Sequence, residues 1–233
     1  MRQFIICMLF FSLVVGCKQE KEQSPNIVFI LADDLGYSDL SVYRNQVEEQ
    51  WKNPSTAQTP NIDLLAAEGM KFTDFYCGAA VCSPSRSALI TGRNATRVGI
   101  YNWVPPDQPM HLRDDEMTIA EMVKSKGYQT GHFGKWHLTS EGMGQPIPND
   151  QGFDYSFFTY NNAIPSHHNP VNFHRNGEPV GDLEGYSCQL VVDEAIQWIS
   201  RRDANAPFYI NVWFNEPHEK VAAPDSLKER HEY

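Results

Sequence analysis

Asn26-Ile27-Val28-Phe29-Ile30-Leu31-Ala32-Asp33-Asp34 places an unbroken apolar run, partly β-branched, directly before two carboxylates. A strand with one wet face alternates apolar and polar residues, so a continuous run such as Ile27 to Ala32 reads as a strand buried on both faces of a parallel sheet. The Asp pair then falls at the strand's carboxyl end. Outward from there, Thr59-Pro60 predicts a helix through Ala67, with Thr as N-cap, Pro at the first helical position and Gly69 as the stop. Phe72 to Tyr76 reads as a strand, and Thr118-Ile119-Ala120-Glu121 as a capping box whose helix ends at Gly127. Gln129 to Phe133 is a predicted strand. Gln189 to Ser200 carries Leu190, Val191, Ala195, Ile196 and Ile199 at helical spacing, and Phe208 to Phe214 is a further strand.

This alternation predicts an α/β fold, a mixed and largely parallel sheet sandwiched by helices. In such sheets, loops at the carboxyl ends of strands converge on ligands. Asp33, Lys135 and Asn215 through His218 all sit at those ends. Thr139 to Gly185, rich in Gly, Pro, Asn and His, reads as irregular and is longer than an ordinary connector.

A chain of 233 residues with 41% apolar and 21% charged side chains can bury one substantial core. Its net charge of −10 provides no basic surface of the kind a phosphate backbone requires, so no nucleic-acid partner is expected. An anionic ligand therefore needs a local cationic pocket. Near the start, Arg2 precedes the apolar run Phe4 to Val15, shorter than the roughly 20 residues of a spanning helix and suited to a secretory signal. Val14-Val15-Gly16-Cys17 resembles the bacterial lipobox, in which the Cys17 thiol is acylated. Residues 1–17 are thus expected to be a lipoprotein signal peptide and 18–25 a flexible tether. The implied location is that of an exported bacterial lipoprotein, periplasmic or at the outer membrane or cell surface.

Cys82-Ser83-Pro84-Ser85-Arg86 runs into the helix-like stretch Ser87 to Thr91. A helix start offers unpaired N–H groups and partial positive charge to an anion. Pro84 is expected at the first helical position, and Arg86 adds a planar fork suited to sulfate or phosphate oxygens. Taken alone, Cys82 reads equally as a small buried residue beside a capped helix. Asp33-Asp34 reads either as a polar strand end or as two hard oxygen donors for a divalent cation such as Ca²⁺. Lys135 and His137, two apart, point to one side in extended backbone; alone, they read as a surface lysine and a half-buried histidine.

With Ser87-Ala88-Leu89-Ile90-Thr91-Gly92-Arg93 attached, the Cys82 pentad resembles the signature of the type I sulfatases, members of the alkaline phosphatase-like superfamily. Asn26 to Asp34, Thr59-Pro60-Asn61-Ile62-Asp63, Gly134-Lys135-Trp136-His137-Leu138 and Pro217-His218 follow the family's order, covering nearly all of the chain from Asn26 onward. The resemblance implies that Cys82 is oxidised by a maturation enzyme to formylglycine, and that Asp33, Asp34 and the modified Cys82 bind one divalent cation, Ca²⁺. It also implies that Arg86 and Lys135 hold the sulfate. One hydroxyl of the hydrated aldehyde then attacks sulfur, His218 protonates the departing oxygen, and His137 helps the second hydroxyl expel sulfate. The substrate is expected to be a sulfated carbohydrate or an aryl sulfate.

Three departures from the family pattern stand out. Thr139 replaces a frequent Gly, Glu219-Lys220 replaces a frequent x-Pro, and the family's Asp-Asn ligand pair and second lysine lie beyond Tyr233. Residues 26–233 are therefore expected to be an incomplete N-terminal portion of the catalytic domain. Two rival readings remain: a phosphate or phosphonate monoester hydrolase, and a non-catalytic lipoprotein that binds sulfated glycans. Cys77 and Cys188 are left over as a possible disulfide. The aromatic residues Tyr155, Phe157, Phe158, Tyr160 and Phe173, with His167, His168 and His174, read either as loop packing or as a wall for a sugar ring.

Overall fold

The computed structural model describes residues 24–44 and 58–229. The export segment with Cys17, the charged tether up to residue 23 and the terminal residues 230–233 lie outside the described residues. Six strands make one sheet: β1 Ile27–Asp33, β2 Gln129–Lys135, β3 Tyr155–Thr159, β4 His174–Arg175, β5 Glu178–Pro179 and β6 Phe208–Pro217, in the order β1-β6-β2-β3-β4-β5. β1, β6, β2 and β3 run parallel, and β4 and β5 continue from β3 as an antiparallel meander. Helices are α1 Ser41–Arg44, α2 Pro60–Glu68, α3 Cys82–Thr91, α4 Ala95–Val98, α5 Ile119–Lys124, α6 Ser187–Arg201 and α7 Asp225–Lys228.

The period-2 pleat of β6 divides the core. Tyr209 and Trp213 join Trp136, Phe153 and Phe158 under α3, α4 and α5, with Ile90, Val98 and Ala120 packed against them. Phe208, Ile210 and Val212 face the other way, with Phe133 and Phe157, and meet Val191 and Ala195 of α6. Burying both faces explains the continuous apolar reading of β6. Between β2 and β6 the backbones approach so closely that a Cβ on Gly134 would lie 1.8 Å from Trp213 O; its φ of +104° also favours glycine.

Several expectations change. Among the described residues β1 lies at the edge of the sheet: Ile27, Phe29 and Leu31 pack on the core, whereas Val28 and Ile30 stay largely exposed. A continuous apolar run therefore overstates its burial. Phe72 to Tyr76 forms no strand among the described residues; Phe72, Phe75 and Tyr76 are exposed, because β propensity without a partner strand stabilises nothing. The stretch 139–185 is far from wholly irregular, since it contains β3, β4 and β5. Tyr155-Ser156-Phe157-Phe158-Thr159 pairs in parallel with β2 from Gly131 to Lys135. Pro84 is the third helical residue, with Val81 as N-cap and Cys82 first; that position also lacks an intrahelical acceptor for its N–H, so proline remains tolerated. Thr59, Pro60, Gly69 and the Thr118–Glu121 capping box stand where the sequence puts them.

Candidate active site

The carboxyl ends of β1, β2 and β6 meet the N-terminus of α3. Asp33, 5% exposed, closes β1 and faces two buried cations: Lys135 Nζ donates to its Oδ2 at 2.5 Å, and Arg86 Nη2 lies 3.2 Å from its Oδ1. Arg86 Nη1 donates to Lys135 O at 2.6 Å, and the guanidinium lies over the Trp213 ring at 5.1 Å. Burial opposes ionisation of Asp33, but Arg86 and Lys135 outweigh it and hold its carboxyl below the usual range. Burial, and then repulsion from Arg86, push the Lys135 ammonium down, while Asp33 opposes that shift. Burial likewise lowers Arg86, against the pull of Asp33 and of Cys82.

Cys82 thus lies within electrostatic reach of both cations, at the first position of α3 and partly accessible. α3 ends where Gly92, at φ +65°, returns its N–H to Ala88 O. Two buried cations share one carboxylate. Arg86 Nε has no hydrogen-bond partner among the described residues.

The neighbouring carboxylate behaves differently. Asp34 is 66% exposed, adopts φ +62° and reaches His218 Nε2 at 3.5 Å. Asn162 joins this pair to the buried half: it accepts from Lys135 Nζ through Oδ1 at 2.6 Å, which turns its Nδ2 toward His218 Nδ1 at 3.1 Å. Glu219 O also meets His218 Nδ1, at 2.8 Å. Asn162 was not singled out in the sequence. It sits three residues beyond β3, a strand the composition of that stretch conceals.

His137 is buried but not extended; its φ is +53°. It therefore does not share a side with Lys135 by strand alternation. Its Nε2 donates to Val104 O at 3.2 Å, leaving Nδ1 as a buried acceptor without a partner among the described residues. Burial, reinforced by Lys135 and Arg86, pushes its pKa down to about 3, so the ring is neutral near neutral pH.

Asp33, Asp34 and Cys82 offer two hard carboxylates and a thiol, but no group of three or more such side chains among the described residues could hold a metal. Lys135 and Arg86 engage both oxygens of Asp33. The donors present make part of a cation shell. Cys77, exposed, and Cys188 are free thiols. Of the two readings of the aromatic stretch, packing holds for most of it: Phe157, Phe158, Phe173, His167 and His174 are buried, and His168 stacks on Tyr186.

A family model described as Sulfatase matches residues 25–232. Human arylsulfatase A is 48% identical over 130 residues, covering 55% of this chain and 24% of that protein. Human N-acetylgalactosamine-6-sulfatase is 32% identical over 224 residues, covering 86% and 41%. Among solved structures, Ps i-CgsB in complex with k-i-k-neocarrahexaose superposes with TM-score 0.74 at 27% identity, covering 90% of this chain and 49% of that one. A structure in complex with its substrate D-glucosamine-2-N,6-O-disulfate superposes with TM-score 0.67 at 28% identity, covering 85% and 35%. The chain spans less than half the length of each of these relatives. It belongs to the sulfatase family, and its sheet is of the alkaline phosphatase-like kind.

Proposed function

From that membership we propose that the chain carries the nucleophile half of an enzyme that hydrolyses sulfate monoesters of sulfated carbohydrates or aryl alcohols. The observation that carries the reading is the charge imbalance beside Cys82: Arg86 and Lys135, both buried, share the single carboxylate of Asp33. A sulfate group would supply the missing negative charge and accept from the unpartnered guanidinium N–H. The relatives that act on sulfated sugars or bind them favour carbohydrate as the class.

Formylglycine made from Cys82 by a maturation enzyme supplies, as its hydrate, an oxygen nucleophile at the start of α3. A divalent cation held by Asp33, Asp34 and the modified Cys82 lowers the pKa of that hydroxyl when bound. Arg86 and Lys135 bind and orient the sulfate oxygens, and the α3 N-terminus adds its dipole. His137, neutral and with Nδ1 bare, accepts a proton inside the pocket. His218 is the proton donor to the leaving oxygen; its Nδ1 meets Glu219 O and its Nε2 faces Asp34. Asn162 keeps Lys135 and His218 in register. Export and acylation at Cys17 complete the proposal, and loss of lipid labelling in Cys17→Ala checks that part.

Sulfate release from an aryl sulfate and from a sulfated monosaccharide, by the full chain expressed with a maturation enzyme, tests the hydrolase. Cys82→Ala is expected to reduce the rate by about a thousandfold or more. Mass analysis of the tryptic peptide 72–86 monitors maturation, since conversion leaves Cys77 as the one alkylatable thiol. A converted Cys82 with no sulfate release overturns the reading, and faster release from the matched aryl phosphate would point to a phosphate monoester hydrolase.

A further inference from the structure

The aromatic residues of 155–174 are largely spent on the core, so the surface that meets the alcohol part of a substrate must come from elsewhere. Between α4 and α5 the chain runs beside Ser83 and His137 as Tyr101-Asn102-Trp103-Val104-Pro105. Tyr101 and Trp103 are 74% and 41% exposed, whereas Val104 between them and Pro105 is buried. Single exposed aromatics are ordinary on protein surfaces. This pair differs in where it is fixed.

Val104 N donates to Ser83 Oγ at 2.9 Å, and Val104 O accepts from His137 Nε2 at 3.2 Å. One backbone unit is thereby clamped between the residue after Cys82 and a site histidine. Trp103, one residue earlier, lies with its ring centroid 6.3 Å from that of His137. On either side, Trp103 N donates to Asn102 Oδ1 at 2.9 Å and Ser140 Oγ donates to Pro105 O at 2.6 Å. The backbone that carries the indole is held by hydrogen bonds on both flanks, so little backbone ordering is left to be done on binding. The indole's ring neighbour His137 has a bare, buried Nδ1.

We infer that Trp103 is a specificity-determining platform, on which the sugar ring of a sulfated carbohydrate lies while Arg86 and Lys135 hold its sulfate. The inference deepens the sulfatase reading and rests on it. An aromatic face carries negative quadrupole density, and the C–H-bearing face of a pyranose presents weakly positive hydrogens to it. Ligand sites combine a few charged anchors with aromatic walls in this way. The charged anchors Arg86 and Lys135 are buried, and the indole of Trp103, beside His137, is partly exposed. The sulfate is selected by charge and the ring by shape.

The test compares Trp103→Ala and Trp103→Phe with the wild-type full chain. Each is assayed for KM toward a sulfated monosaccharide, for equilibrium binding of that sugar by calorimetry, and for inhibition by inorganic sulfate. Trp103→Ala is expected to raise KM and weaken sugar binding about tenfold, the scale of one good aromatic contact. The Ki of inorganic sulfate should stay within about twofold, because Arg86 and Lys135 are untouched, and Trp103→Phe should recover most of the loss. Unchanged sugar affinity in Trp103→Ala overturns the platform. So does a parallel rise in the Ki of sulfate, which would make Trp103 a support for His137 and Val104. A wild-type chain that binds the sugar without releasing sulfate removes the hydrolase reading and leaves the platform to the binding comparison; one that binds no sulfated sugar overturns the platform as well.

Discussion

Asp33 and Asp34 are covalent neighbours with the same side chain, yet one is 5% exposed between two cations and the other is 66% exposed, 3.5 Å from a histidine. Asp33 is the last residue of β1 and pairs with Pro217 across a bulge in the β1–β6 register; Asp34 turns out of the strand at φ +62°. Being next in sequence therefore does not make two carboxylates equivalent. Asp33 is a structural and electrostatic keystone for Arg86 and Lys135. Asp34 is an exposed carboxylate whose neighbour is His218.

The sharpest way to break this contrast is to truncate each carboxylate. Asp33→Ala leaves two buried cations unpaired and should destabilise the fold by about 3–5 kcal/mol, measured by urea unfolding. If the cost falls below about 1 kcal/mol, water reaches the cluster and it is not a buried site. The buried and exposed halves also differ in their histidines. His132, fully buried among Trp136, Phe153 and Trp213, and His137 are both held near a pKa of about 3, primarily by burial. In the unfolded chain both return to about 6.5. Between those values the unfolded state binds more protons, so stability present above about pH 6.5 is lost as the pH falls, by up to about 1.4 kcal/mol per unit for each histidine. Unfolding midpoints between pH 7 and pH 4 measure the slope, and His132→Phe should remove its share; an unaltered slope would contradict the burial argument.

Asn162→Ala severs the link between the halves, removing a hydrogen bond to the Lys135 ammonium at a cost of about 2 kcal/mol. Its coupling to Lys135→Met in a double-mutant cycle should be non-zero, whereas coupling between Asn162 and the distant Arg113 should vanish. The smallest effect is expected for Asp34→Ala, whose unfolding free energy should shift by about 0.5 kcal/mol or less even as sulfate release is lost. A large destabilisation there would erase the distinction between the two carboxylates.

Much of the site was legible because its chemistry is local. Cys82 to Arg86 is one helical turn, Gly134-Lys135-Trp136-His137 is one strand end, and Asp33 follows one apolar run. Asn162 was not legible, because its value lies in spanning Lys135 and His218, 27 and 56 residues away. β3 was hidden for a related reason: five strand residues in a stretch dominated by loop formers carry too little periodicity, and it is pairing with β2 and β4 that makes them a strand. The aromatic residues of 155–174 stayed open between packing and a sugar wall because composition does not say which way a ring points.

Local pattern alone determined the α/β alternation, the helix starts at Thr59 and Thr118, the strands around β2 and β6, and the residue types of the pocket, since each depends on neighbours within a few positions. Tertiary structure decided that β1 pairs with β6 and β3 with β2, that His137 leaves the extended path, and that Asp33 is enclosed while Asp34 is not. Those outcomes depend on which surfaces are removed from water together, and that is a property of segments distant in sequence.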